Sequence, residues 1–262
     1  MRSRHTTCLI RSLFHGKRRC SLPLTSLLCS LIVVAVCCRI GDASDPKKKK
    51  GDDPQKLSKK SWEVLWDSHR TAGGTRPLAE DGPLHSLKDL QLQGVPKADP
   101  FWLHDFKSSG VWGSIDHRLA RIEGENAAVK LIRAENFELQ GSVKAEGLGG
   151  WFILFGWDKG HGYAIYNVSI KLSGSPWIVS EFRDSKAISR THREIHRYQW
   201  KGEQPLFLSV ENKKLSLQVG REKIAKDLEL PNYHTGDIIL GTYDTPYGAK
   251  PVSVRSLRIR AK

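Results

Sequence analysis

Beyond residue 38 the chain has no cysteine, because all five (Cys8, Cys20, Cys29, Cys37 and Cys38) stand near the N-terminus. That absence excludes cysteine catalysis, Cys-ligated zinc and disulfides from the rest of the chain, and it fits an oxidising compartment. A Gly-rich phosphate loop, a Cys-x-x-Cys pair and a Gly-x-Ser-x-Gly elbow are also missing, which removes the common signatures of nucleotide binding, thiol redox chemistry and serine hydrolysis. No stretch carries the spacing of a long helix, no repeat of fixed period occurs, and the only low-complexity region is rich in lysine.

A dedicated basic surface is lacking too, although the formal net charge is +14. Residues 1–43 hold seven Lys/Arg against one Asp and residues 44–60 hold seven Lys against three Asp, so only +4 is left for residues 61–262. Spread over about 200 residues this is too little for a phosphate-tracking groove, and nucleic acid is not an expected partner.

The N-terminus reads as an address. Arg2, Arg4, Arg11, Lys17, Arg18 and Arg19 precede an uncharged run from Leu22 to Cys38, and Gly41 and Ala43 supply small residues before Ser44. Basic, apolar and small segments in that order are those of a secretory signal, and an uncleaved membrane anchor is the competing reading. Both place the remainder outside the cytoplasm, in the periplasm, at the cell envelope or secreted. Residues 44–60 have little to bury and read as a flexible Lys-rich linker, a spacer or a contact for an anionic surface. The expected organisation is a signal or anchor over 1–43, the linker over 44–60, and a single domain over 61–262.

Within that domain, short apolar alternations recur between turn residues. "LARIEGENAAVKLIR" reads as strand, turn, strand; "NFELQGSVKAEG" as a longer strand; and "PLFLSVENKKLSLQVGREKI" as two runs around Glu211–Lys214. "PWIVSEF", "GDIILGTY" and "VSVRSLRIRA" follow the same pattern, and Trp62–Trp66 reads as a leading strand. "DSKAISRTHREIHRY" fits either a helical turn or an edge strand. Roughly ten such strands predict an all-β fold, an antiparallel β-sandwich or jelly roll.

"GWFILFGWDKGHGYAIYNVSI", residues 150–170, is the most aromatic stretch. With Asp158–Gly162 as the loop, Trp157 opposes Tyr163, and one face, with Phe152, Leu154, Ala164, Tyr166 and Val168, is the expected core. The other face carries Trp151, Ile153, Phe155, Trp157, Tyr163, Ile165 and Asn167 and is either covered by another layer or left as a lined groove. Flat rings stack on the C–H faces of sugars, so Trp157 and Tyr163 are candidate binding residues for a carbohydrate or envelope polymer, with Asn167 beside them. Tyr243, Asp244 and Tyr247 in "TYDTPYGAK" are further binding candidates, since loops at a sandwich end carry recognition chemistry. Asn167-Val168-Ser169 also spells a glycosylation sequon.

Catalytic chemistry has thinner support. The Glu-x-Asp-x-Glu strand of many retaining glycosidases, which sets three carboxylates on one face, is absent. Glu181 and Asp184 in "SEFRDS" are the nearest carboxylate pair, on opposite strand faces unless the chain turns between them. His161 in the hairpin loop would serve as a general base or a hydroxyl partner. His192, Glu194 and His196 in "THREIHR" share one strand face and would ligate a divalent metal, against the repulsion of Arg190, Arg193 and Arg197.

"YGAKPVSVRSLRIRAK", "NFELQGSVKAEGLGGWFILF" and "LSVENKKLSLQVGREKI" together resemble 3-keto-disaccharide hydrolase-like domains of the concanavalin A-like lectin/glucanase superfamily, over about residues 118–262. The resemblance implies an exported jelly-roll sandwich that handles carbohydrate, or, alternatively, a glycoside hydrolase or lyase acting on 3-keto sugars. The family's opening Phe-Asn-Gly-Lys-Asp-Leu-type stretch is missing here, and its catalytic residues do not map onto this chain one by one.

Overall fold

The computed structural model describes residues 61–95, 103, 105–169, 174–245, 248 and 252–262. The expected signal, the Lys-rich linker and Tyr247 lie outside the described residues, which all fall within the unit Pro54–Lys262. Inside them the alternating segments are strands, and the one helical element among the described residues is a 3-10 turn at Ser68–Arg70.

Two antiparallel sheets make the body. The nine-stranded sheet runs Glu222–Glu229, Lys214–Val219, Glu203–Glu211, Phe137–Ala145, Val252–Ala261, Arg118–Glu123, Val111–Ile115 and Arg76–Pro77, with Glu63–Asp67 also pairing on Val252–Ala261. The eight-stranded sheet runs Lys186–Ala187, Pro176–Arg183, His161–Ser169, Gly149–Asp158, Gly236–Tyr243, Ala127–Ala134 and His85–Leu87, with Arg193–Arg197 also on Pro176–Arg183. In the ambiguous "DSKAISRTHREIHRY" segment, Lys186–Ala187 and Arg193–Arg197 are short edge strands and residues 188–192 turn between them. A small pair, Gln91–Leu92 with Phe106–Lys107, stands apart.

Period-two alternation decides which side chains meet between the sheets. Phe137, Leu139 and Val143 from one strand and Leu206, Leu208 and Val210 from its neighbour are buried, while the residues between them are partly exposed. Opposite them lie Trp151, Ile153, Phe155, Tyr163 and Ile165 of the other sheet, in the same buried cluster. Each such side chain contributes roughly 1.5–3 kcal/mol by leaving water. Trp151 also meets Trp177 and Trp200 edge-on, at centroid distances of 5.6 and 5.3 Å.

The hairpin of Gly149–Asp158 and His161–Ser169 is apolar on both faces because both are covered. Phe152, Leu154, Ala164, Tyr166 and Val168 form a second cluster under Leu92, Leu103 and Phe106. The face expected to be covered or grooved is thus the core between the sheets, and the face expected to be that core is the one capped by the chain's own N-terminal segments.

The hairpin turn is also tighter than expected. Asp158 pairs with His161 around Lys159-Gly160, and Tyr163 opposes Phe155 rather than Trp157. This register differs by two residues, an even number, so Trp151–Phe155 keep their faces. Trp157 does not. A bulge after Phe155, with Gly156 at φ +62°, turns the Trp157 ring to the outer cluster beside Phe182. Trp157 and Tyr163 therefore lie on opposite sides of the sheet and form no shared platform.

Candidate functional site

At the end of the sandwich beside the Lys159-Gly160 turn, an open cleft of about 410 Å³ is lined by Asp158, Lys159, His161, Tyr163, Glu181, Phe182, Arg183, Asn232 and His234 among others. Its floor is Glu181, the last inward residue of Pro176–Arg183 and only 4% exposed. A carboxylate at that depth has to be met by donors. Tyr163 Oη donates to Oε2 across 3.3 Å. Arg183 donates Nε and Nη2 to Oε1 at 3.0 and 2.8 Å. Asn232 Nδ2 reaches both oxygens at 3.1 and 3.2 Å.

The donors are themselves fixed. The Asn232 backbone N–H donates to Tyr163 Oη, and burial, then the nearby Glu181 charge, pushes the Tyr163 phenol above its ordinary range even against that bond. Tyr163 is therefore a protonated donor at neutral pH. His234 Nδ1 lies 3.3 Å from the Asn232 carbonyl. At the mouth, His161 Nε2 comes within 3.5 Å of Asp184 Oδ1. The chain does turn after Arg183, with Asp184 and Ser185 at φ +49° and +62°, which brings the largely exposed Asp184 back to His161.

Three of the residues singled out from the sequence, His161, Tyr163 and Glu181, thus share one cleft, and Asp184 touches its rim. The others are dispersed. Trp157 lines a separate cleft of about 430 Å³ with Leu90, Gly160 and Asp237. Asn167 is buried and donates to the carbonyls of Ser175 and Pro176 at 3.1 and 2.9 Å, so its sequon is no surface acceptor in the folded domain. Tyr243 is buried in the outer cluster, and Asp244 pairs with Arg121 at 2.8 Å.

The proposed metal ligands diverge. Nδ1 of His192 lies 2.9 Å from both Tyr166 Oη and Ser180 Oγ. Glu194 holds Arg197, and His196 Nε2 meets Glu222 at 2.8 Å. An irregularity in pairing between Trp177 and Ile178 separates His196 from Glu194. Among the described residues no group of three or more His, Cys, Asp or Glu side chains is arranged to hold a metal ion.

Arg183, Asn232 and His234 were not anticipated from sequence. Asn232 and His234 come from "LPNYHTG", a Pro- and Gly-bounded loop between two strands whose composition marks it as a connection. Only the fold brings it to Glu181, 51 residues away in sequence.

No protein-family description matches the chain, and no curated protein matches it in sequence. In three dimensions it is similar to the carbohydrate-binding module CBM66 from Bacillus subtilis, at 10% identity and a TM-score of 0.46, over 58% of this chain and 92% of that one. It is also similar to the CBM2 module of the evolved Dit protein of Lactobacillus casei BL23 phage J-1, at 12% identity and 0.48, over 77% and 96%. A third likeness is to Rv0315, an immunostimulatory antigen and pseudo β-1,3-glucanase of Mycobacterium tuberculosis, at 10% identity and 0.48, over 76% and 99%.

Proposed function

We propose that the chain is an exported carbohydrate-binding β-sandwich module that grips a sugar unit of a glycan or envelope polymer in the cleft above Glu181. The observation that carries this reading is the braced carboxylate. Five donor contacts fill the lone pairs of Glu181 and hold Arg183, Asn232 and Tyr163 in place at the base of an open hollow. Arg183 spends two of its N–H groups on Glu181 and keeps the others, His161 and His234 add imidazoles at the rim, and such a mixture of fixed donors and acceptors suits vicinal hydroxyls. In the same reading residues 1–43 export the domain, and residues 44–60 tether it near an anionic surface.

A glycoside hydrolase or lyase of the 3-keto-disaccharide hydrolase type is the second reading. What favours it is the His161–Asp184 contact at the cleft mouth, since a carboxylate that orients an imidazole is an arrangement for a general base. The inward position of Glu181 and the outward position of Asp184 do not give the facing carboxylate pair of ordinary glycosidases.

The test is glycan-array binding by the purified protein. Arg183→Ala and Asn232→Ala are each expected to weaken the best ligand about tenfold or more, by the loss of a hydrogen bond to the sugar and of a brace on Glu181. Binding that survives both changes would overturn the proposal. Turnover of a 3-keto-glycoside that disappears in His161→Ala would instead establish the second reading.

A further inference from the structure

The outer face of the nine-stranded sheet, on the side away from the core, carries a groove of about 600 Å³. Its floor is a row of outward side chains, one from each of five adjacent strands. Val64 stands opposite Arg258, Arg258 opposite Gln140, Gln140 opposite Phe207, and Phe207 opposite Gln218. Neighbouring strands lie about 4.8 Å apart, so the row is roughly 19 Å long and crosses the strands. Trp66 lines the groove at the Val64 end.

The polar groups along this row are oriented. Arg258 donates Nε and Nη2 to Gln140 Oε1 at 3.1 and 2.6 Å, which leaves the Gln140 amide N–H groups as donors. Gln218 Nε2 donates to the Gly220 carbonyl at 2.9 Å, which leaves its oxygen as an acceptor. A donor amide and an acceptor amide thus flank the Phe207 ring. Arg258 is further held over the Trp62 ring, 4.8 Å from its centroid. Among the described residues the charged ones that line the groove are Asp67 and Arg258, of opposite sign.

We propose that this groove is a second binding site, for an extended, uncharged glycan chain lying across the strands. The length suits several sugar units in line rather than one terminal unit. The balance of charge selects a neutral polymer, and a ring between two oriented amides matches the alternation of C–H faces and hydroxyls along such a chain. A peptide is disfavoured, because β-augmentation runs along a strand edge whereas the groove crosses the strands, and four of its five strands are paired on both sides, Glu63–Asp67 at the end of the row being paired on one side with Val252–Ala261.

The experiment is calorimetric titration of the purified protein with cellohexaose, laminarihexaose and xylohexaose and with the matching disaccharides. At least one hexasaccharide is expected to bind ten times more tightly than its disaccharide. Phe207→Ala and Gln218→Leu should each weaken it about tenfold, and Arg183→Ala should leave it unchanged. If Phe207→Ala does not fold, Gln218→Leu carries the test, because its side chain sits on the outer face. The proposal is overturned if no hexasaccharide binds or if binding ignores both groove changes. It is equally overturned if binding depends on Arg183 alone, which assigns the ligand to the end cleft. Concentration-dependent dimers abolished by Phe207→Ala would also overturn it, in favour of a second copy as occupant. A failure of the end cleft leaves these outcomes unaffected.

Discussion

Glu181, which is buried, and His192, which is half-buried, show two different ends that a polar side chain away from water can serve. Removing one partner from a buried charge is far more costly than the net worth of the pair, so Glu181 acts chiefly by fixing the three side chains around it. His192 is held between Tyr166 and Ser180, and burial lowers its pKa from the ordinary 6.5. The unfolded chain therefore binds a proton at this site before the folded domain does. Stability should fall as pH drops from about 7 through 6.5 toward the lower folded value, and should recover as pH rises. Glu203 acts in a more acidic window. Bonds from Ser142 and then Arg118 lower its pKa below the ordinary 4.5, so its contribution is lost only as pH falls through that lower value. Thermal melts across pH 5–8 are expected to show the first slope in the native protein and a flatter profile in His192→Gln. An equal slope in both would assign it to another group.

Among the elements, the Gly149–Ser169 hairpin is the one whose details escaped the sequence. Strands such as Phe137–Ala145 and Glu203–Glu211 face a core on one side and solvent on the other, so their alternation reveals both the strand and its inward face. The hairpin buries both faces, and alternation there cannot distinguish the core from the outer cluster. Nor does it disclose a bulge, which shows as one extra residue in an already apolar run. Gly156 makes that bulge possible. Its φ is +62°, and a Cβ there would lie 2.6 Å from the Tyr233 ring and 2.7 Å from the His234 carbonyl. Gly156→Ala is expected to cost about 2 kcal/mol or more, a fall of roughly 4–8 °C in Tm. Because Tyr233 and His234 follow Asn232, it should also loosen the cleft. An unchanged Tm would mean that the backbone there relaxes freely. The candidate site follows the same division: His161, Tyr163 and Glu181 lie on strands that the sequence discloses, whereas Asn232 and His234 arrive from a distant loop. Likewise "THREIHR" reads as one ligand face only if its pairing is regular, which it is not.

For the molecule as a whole, covering matters more than composition. The aromatic hairpin, which invites a sugar platform when read alone, is sealed inside by the opposing sheet and outside by Leu92, Leu103 and Phe106. Openings among the described residues include the cleft beside the Lys159-Gly160 turn and the groove on the outer face of the nine-stranded sheet. No helix among the described residues is long and apolar enough to cross a membrane. The measurement that bears most directly on glycan binding above Glu181 is amide chemical-shift mapping of the isotope-labelled protein, titrated with the best array ligand. The largest changes are predicted at His161, Gly162, Arg183, Asn232 and His234. Saturable binding that leaves those five amides unmoved would contradict it.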